Sequence, residues 1–523
     1  MNSRFGRIYP GVGVVLVVML SLALSGCALP PLSDRPESQS IPAQQTASTR
    51  LGRAIAPLAA EHPGDSGIVF LQNAYDAFAA RALLAEGADA TLDVQYYIWQ
   101  ADITGILLLD VLYRAAERGV RVRLLLDDNG ISGLDDILAA LHTHPNIEVR
   151  LFNPFVVRSP KWIGYLTSFS RLNHRMHNKS FTADNQAAII GGRNIADEYF
   201  GAGSGALFAD LDVLAIGPVV NELSRDFDRY WASASAYPAS AILPEPGAED
   251  LAKVVETARE CSASTEASQY VCAVSESEFL KNLLAGDLEF VWSPVSMVSD
   301  DPAKVLGEKT EKGLMSRQLA QAMGNPEHSI TLVSPYFIPT KAGVEMFQKL
   351  ERQGVQVRVL TNSLEANDVA MVHAGYAKYR KPLLEAGVQL FELRKVPGEE
   401  PVERSLQDNL MGSSSSSLHA KTFAVDGQRL FVGSFNFDPR SVHINTELGF
   451  VIESPELTQL MENHFEEQAR VTAYEVVLDE DGDLQWIERN GDEEIRHSHD
   501  PGVGVLKRMM VSVFSFLPIE HLL

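Results

Sequence analysis

The chain has 523 residues, 46% of them hydrophobic, which is enough to build two or three separate cores. Its formal net charge of −24 argues against a nucleic-acid partner, because phosphodiester backbones attract clustered Lys and Arg. The same charge argues against general adhesion to anionic lipid, so contact with a membrane surface needs another device.

Such a device stands at the N-terminus. Residues 1–27 read as an export signal, with Arg4 and Arg7 ahead of an apolar run from Val12 to Leu24. The run closes on Leu24-Ser25-Gly26-Cys27, which resembles a bacterial lipobox. That resemblance implies a lipoprotein lipidated at Cys27, held in the bacterial cell envelope and facing the periplasm, at the outer or the inner membrane. An ordinary signal peptide or one short anchor is the alternative; the run is short for a bilayer span of about 20 residues. Residues 28–65, rich in Pro, Ser, Gln and Ala, read as a flexible tether.

Order is expected from Ser66, with a first domain over 66–237. Asn73 to Ala85 has helical spacing, Leu92 to Trp99 reads as a strand, and Gly105 to Arg118 as a helix. Strands follow at Val120 to Asp127 and Ile147 to Phe152, a strand–helix–strand alternation that implies parallel pairing. Residues 238–312 read as an acid-rich connector holding Cys261 and Cys272, two cysteines that form a disulfide or stay as unpaired thiols. A second domain is expected over 313–480. Its strands at Ser329 to Ile338, Gln353 to Leu360 and Val388 to Phe391 replay those of the first at an offset of about 240 residues. Residues 481–523 form a tail whose stretch from Val505 to Leu517 is a core helix or a helix lying on a membrane.

The repeat carries a doubled motif. His177-Asn178-Lys179, Asp184 and Gly191-Gly192-Arg193-Asn194 recur at the same spacings as His419-Ala420-Lys421, Asp426 and Gly433-Ser434-Phe435-Asn436. One His-x-Lys-x4-Asp arises by accident, but two in matched register do not. A phosphodiester repels nucleophiles through its own charge, so an enzyme working without a metal must neutralise that charge, supply a nucleophile and protonate the leaving alkoxide. Two histidines offer the nucleophile and the acid, while Lys179, Lys421, Asn194 and Asn436 offer contacts to the non-bridging oxygens. Each imidazole needs a carboxylate on its other nitrogen. By register these are Glu447 in the second half and Asp210 in the first, with Asp212 as the fallback. A metal site on His174 and His177 is disfavoured, since Lys179 would repel a cation.

This doubled motif resembles the phospholipase D superfamily. Leu92 to Trp99, Leu124 to Asp128, Arg171 to Ile195, Asn362 to Val369 and Phe435 to Ser441 look like the bacterial cardiolipin synthases, most of all the cardiolipin synthase C branch. The resemblance implies an α/β fold of two duplicated α/β/α halves, each with a mixed sheet, sharing one active site at a pseudo-two-fold interface. It also implies no metal or other cofactor, mostly structural aspartates at Asp184 and Asp426, and Ser434 as a substrate contact that Gly192 lacks in the first half. The implied reaction is phosphatidyl transfer through a phosphohistidine to phosphatidylglycerol, with phosphatidylethanolamine as the suggested donor and His177 as the attacking group. The rivals are a hydrolytic phospholipase D, a nuclease of the superfamily and a non-catalytic lipid-binding protein. Arg150, Arg158, Lys161, Arg171, Arg175 and Lys179 stand in a stretch without acids, so Arg171 and Arg175 are expected to meet an anionic head group. Phe155 to Phe169 suits an interfacial lid.

Overall fold

Strand-length runs of β-branched and aromatic residues, separated by helices, must pair their backbones and bury both faces. In the computed structural model, which describes residues 29–32, 35–202, 209–285, 287–307, 313–367, 369–395, 418–491, 493–515 and 520, they do so as two sheets. Cys27 and the Gly-Ser run over 412–417 lie outside the described residues.

The first sheet holds β1 (Ser66–Leu71), β2 (Thr91–Ile98), β3 (Arg121–Gly130), β4 (Ile147–Phe152), β5 (Ser180–Ala183), β6 (Ala187–Gly191), β7 (Asp212–Ile216), β8 (Ala236–Pro238) and β9 (Val291–Ser293). The second holds β10 (Val295–Ser299), β11 (Ser329–Val333), β12 (Gln356–Asn362), β13 (Gln389–Leu393), β14 (Thr422–Val425), β15 (Arg429–Gly433), β16 (Leu448–Ile452), β17 (Ala473–Leu478), β18 (Leu484–Asn490) and β19 (Glu493–His497). Their orders are β8-β4-β3-β2-β5-β6-β7-β1-β9 and β10-β16-β15-β14-β11-β12-β13-β17-β18-β19. Read from opposite ends, the two match strand for strand from β4 to β1 and from β13 to β10. Both sheets are mixed: β2, β3 and β4, like β11, β12 and β13, are parallel, and the neighbouring pairs are antiparallel.

The halves share a core. Ala188, Ile190, Val213 and Ala215 of the first sheet are buried in one cluster with Ala424, Leu430, Val432, Phe450 and Ile452 of the second. The helix Pro455–Val471 adds Leu457, Met461 and Phe465 to it. An apolar contact of this extent fixes the halves against each other, which is what positions the site.

Three expectations are corrected, and the open question of the cysteines is decided. The described part of 28–65 is no free tether: Arg50–Glu61 is helical, and the segment before it is strapped to the first half. Ser40 N donates to Asp228 (3.0 Å), Gln186 Nε2 to Ala43 O (2.7 Å) and Thr46 Oγ1 to Asp184 O (2.5 Å). These are polar contacts without apolar periodicity, so no hydrophobic pattern announces them. The connector carries three helices, Asp250–Ser262, Thr265–Ser275 and Glu278–Ala285, packed on the first half. It changes sheets at Pro294, between β9 and β10, so the boundary between halves falls there rather than at residue 312. Cys261 and Cys272 lie in different ones of these helices as free thiols, and packing rather than a disulfide holds the helices. The tail after residue 480 begins as sheet, with β18 and β19 extending the second half by pairing onto β17.

The motif aspartates close the hairpins after β5 and β14. Asp184 and Asp426 have left-handed backbones, φ 51° and 55°, which Asp tolerates better than most residues. Asp184 accepts the N–H groups of Asp89, Ala90 and Thr91 at 2.8–3.0 Å. Asp426 accepts those of Glu327, His328 and Ser329 at 2.7–3.1 Å. Each ties the start of β2 or β11 to the far end of the motif strand, away from the histidine. Asp184→Ala, which strands three donors beside a fully buried position, is therefore expected to lower unfolding stability by about 2–4 kcal/mol. Asp426→Ala, nearer solvent, should lower it less. Denaturant titration checks the order, and equal effects would contradict it.

Candidate active site

The two His-x-Lys tripeptides lie in extended lead-ins just ahead of β5 and β14. Both lead-ins cross the pseudo-two-fold axis to find their partners. Met176 forms an isolated bridge with Thr446, and Leu418 forms one with Ala209. His177 N donates to Thr446 O (2.9 Å), Thr446 N to Arg175 O (3.0 Å), and His419 N to Ala209 O (2.8 Å). The residue after each bridge partner is the acid.

The acids are consequently exchanged between the halves. His177 Nδ1 lies 2.8 Å from Glu447 Oε2, and His419 Nδ1 lies 2.7 Å from Asp210 Oδ2. Register alone assigns each acid to the histidine of its own repeat; the bridges correct that assignment. Asp212, the fallback, is an ion-pair partner of buried Arg81 (2.7 Å) and accepts Arg193 N.

The missing serine has a steric reason. A Cβ on Gly192 would lie 2.1 Å from Asp210 Oδ1. The carboxylate of the shorter acid fills the place where Ser434 sits in the other half. Leu211 N holds Asp210 Oδ1 (2.8 Å), whereas Glu447 receives Ser434 Oγ (2.5 Å) and Ser441 Oγ (3.0 Å). Ser434 thus orients the acid, and its expected contact to substrate gives way to that role.

Lys179 Nζ donates to His177 O (2.7 Å), and Lys421 Nζ lies 3.2 Å from His419 Nε2. All four side chains are buried. Asn436 Oδ1 is buried with no hydrogen-bond partner among the described residues, so its carbonyl is uncommitted. Asn194 differs: its Oδ1 accepts Ile98 N (3.2 Å) and its Nδ2 donates to Tyr199 OH (2.9 Å). It braces the end of β2 and a wall of the site instead of a phosphate oxygen. Tyr97 and Tyr199 meet His177 and His419 edge-on, each with ring centroids 5.0 Å apart.

Arg175 is corrected too. It is fully buried on Asp127 (2.6 Å) and donates to the carbonyls of Phe152 and Asn153. Arg171 donates to Asn153 Oδ1 (2.6 Å) and Pro154 O (2.9 Å). Arg158 pairs with Asp128 and Asp135, Lys161 with Asp128, and Arg150 with Glu148. The acids missing from that stretch of sequence are supplied by the end of β3 and the turn after it.

Sequence reasoning missed Tyr97, Tyr199 and Ser441. A signal existed for two of them: Tyr199 and Ser441 each lie five residues after the motif asparagine.

Burial sets the protonation of the site. It pushes His177 well below its ordinary value, with Lys179 and Lys421 adding to it. It likewise carries His419 to about 3, with Lys421 adding to it and Asp210 opposing. Lys179 falls to about 7 and Lys421 to about 8, again chiefly by burial. Glu447 is pushed up to about 7 by burial. Burial acts on Asp210 in the same direction, but His419 and Lys421 overcome it and hold Asp210 near 2. The resting site therefore has two neutral imidazoles and two lysines poised to take up protons, awaiting an anion.

Paired histidines over paired lysines, at the seam of two duplicated mixed α/β halves, define an enzyme of the phospholipase D-like class. The family model described as "Cardiolipin synthase, PLD-like domain" matches residues 84–231 and again 319–469, once in each half, and the chain belongs to that family. It is 49% identical over 474 residues to a protein of Escherichia coli (strain K12) named Cardiolipin synthase C, covering 91% of this chain and 100% of the relative. It is 26% identical to the Cardiolipin synthase of Geobacillus thermodenitrificans (strain NG80-2), over 78% of this chain and 68% of that one. In fold it is similar to the crystal structure of phosphatidylserine synthase from Haemophilus influenzae Rd KW20, with a TM-score of 0.55 at 14% identity, over 91% of this chain and 100% of that one.

Two outcomes follow from the geometry. Asp210→Asn should perturb the imidazole nitrogen resonances of His419 and leave those of His177 in place, with Glu447→Gln doing the reverse. Each should lower turnover by roughly 10²-fold or more. Perturbation of the histidine in the same repeat would contradict the exchange. Binding of an anionic phosphodiester at pH 8 should take up about one proton, because the anion raises lysines that sit near 7 and 8. Calorimetry in buffers of different ionisation heat measures this, and proton release would contradict it.

Proposed function

We propose that the protein is a cardiolipin synthase that carries a phosphatidyl group on a histidine and delivers it to the glycerol hydroxyl of phosphatidylglycerol. The observation that best supports this is the pair of imidazoles with Nδ1 bound to a carboxylate, which leaves Nε2 of each as the reacting nitrogen. The relative named Cardiolipin synthase C supports the choice of acceptor. The bound anion first draws a proton onto His419 Nε2; His177 Nε2 then attacks phosphorus, the P–O bond to the head-group alcohol breaks, and the departing oxygen takes that proton from His419. The acceptor hydroxyl then returns a proton to His419 and attacks phosphorus, and the P–N bond breaks. Lys179, Lys421 and Asn436 steady the non-bridging oxygens. His419 suits the acid's part because ionised Asp210 favours its imidazolium, whereas Glu447 beside His177 is pushed towards its neutral form. Phosphatidylethanolamine is the donor that the cardiolipin synthase C resemblance suggests.

The membrane reading rests on two helices turned inside out. Trp162–Leu172 exposes Trp162 (53%), Leu166 (76%) and Phe169 (47%), and Val505–Ser515 exposes Leu506 (77%), Met509 (60%) and Val513 (62%). Lys507 turns inward to the carbonyls of Leu364 and Asn367. Neither helix contains an acid, although the chain carries a net charge of −24, and that suits an anionic lipid surface. Tyr165 anchors the first helix at Asn129, near the end of β3, and Lys507 anchors the second just after β12. This is the edge at which the histidine lead-ins enter, so the site opens towards its lipid. No helix among the described residues is long and apolar enough to cross a membrane. Lipidation at Cys27 in an envelope-facing lipoprotein completes the reading.

With phosphatidylglycerol vesicles in EDTA, cardiolipin is the expected main product, increasing when phosphatidylethanolamine is added. Phosphatidic acid as the main product would make water the acceptor and overturn the proposal. Leu506→Asp combined with Val513→Asp should weaken vesicle sedimentation at least severalfold while sparing turnover of short-chain lipid monomers. Unchanged sedimentation would remove the terminal helix from the membrane contact.

A further inference from the structure

The acid of the second half is braced by the turn after β10, the strand that answers to β1 in the first half. Asp300 and Lys304, just after β10, are almost fully buried, at 0% and 2% exposure. Lys304 Nζ donates to Asp300 Oδ2 (2.9 Å) and to Ser441 O (2.9 Å). The same Asp300 Oδ2 accepts Glu447 N (3.0 Å), and Asp300 N donates to Glu447 O (3.0 Å). Ser441 Oγ closes the ring on Glu447 Oε1 (3.0 Å). Asp300 is itself fixed from both halves, by Met315 N on its Oδ1 (2.9 Å) and by Tyr230 OH on its carbonyl (2.8 Å).

The first half uses a different brace. Arg193, inside the duplicated motif, donates to the carbonyls of Leu71, Gln72 and Asp210 at 2.6–2.8 Å. A buried cation thus stands behind each acid, but in the first half it donates to backbone carbonyls and pairs with Asp212 (3.5 Å), which does not hold the acid's peptide. In the second half it is an ion pair whose carboxylate holds the acid's own peptide. The two halves have therefore diverged behind the acid, in the turn after β10.

We infer that Asp300 and Lys304 are positioning residues that hold Glu447 against His177, so the turn after β10 sets the geometry of the attacking group. The inference rests on the reading of His177 given above. It has an electrostatic consequence. Glu447 faces His177 and Lys179 from one lead-in, Lys421 from the other, Asp438 from the turn after the motif, and Asp300 and Lys304 from the turn after β10. Burial, the largest influence, raises it, and Lys304 is among the cations that oppose the rise. Removing that charge should make Glu447 harder to ionise, so activity should be lost at higher pH as the solution is acidified.

The test compares Lys304→Met, Lys304→Arg and Ser441→Ala in the full chain. Lys304→Met is expected to lower kcat roughly tenfold with KM little changed. It should also move the acidic limb of the kcat profile upward by about half a pH unit or more. Lys304→Arg should restore most of the rate and return the limb. Ser441→Ala cuts the ring without burying a lone charge, so it remains informative if Lys304→Met does not fold; it too should lower kcat and disturb the nitrogen resonances of His177. Those resonances, read in ligand-free protein, do not depend on which reaction is catalysed. Wild-type-like His177 resonances and an unmoved limb in the folded variants would overturn the inference even if cardiolipin is made. Absence of cardiolipin from the wild type, with His177 disturbed as expected, would overturn the function and leave the positioning pair standing.

Discussion

The structure depends on two short hydrogen bonds that cross the seam, His177 to Glu447 and His419 to Asp210. An imidazole reacts through one nitrogen only when the other is fixed, and here the fixing group always belongs to the opposite half. Neither repeat therefore contains a competent histidine alone. The apolar core shared by β6, β7, β14, β15 and β16 matters for the same reason, since a small slip between the sheets would separate both pairs at once.

Burying two lysines and two histidines in one pocket is electrostatically expensive, and the site relieves the strain by giving up protons. The carboxylates fix the imidazoles, and the lysines are left to meet the anionic phosphodiester. Such a site is weakly charged when empty and strongly complementary once the substrate is in place, which is the condition for stabilising a transition state rather than a resting ion pair.

Duplication built the frame, and substitutions within it, with added chain around it, made the halves unequal. Asp210 needs a glycine at residue 192, while Glu447 keeps Ser434, gains Ser441 and rests on Asp300. The strap over residues 35–46, the three connector helices and the β18–β19 extension all lie outside the repeat.

The sequence alone determined the two His-x-Lys motifs, the duplicated halves and the three parallel strands of each half, all of which rest on local periodicity or on fixed spacing. For the structural part of Asp184 and Asp426 the sequence offered only the family resemblance. It placed Asp210 and Glu447 in the site but paired them with the wrong histidines, because spacing within a repeat carries no record of a bridge between repeats. It read Arg175 as a contact to an anionic head group, since its partner Asp127 lies 48 positions away in the chain. It read 28–65 as loose because polar side chains bonded to backbone leave no apolar pattern. Tertiary structure decided which acid serves which imidazole and what braces each acid. Those contacts join residues up to 270 positions apart, and only the docking of two sheets brings them within 3 Å.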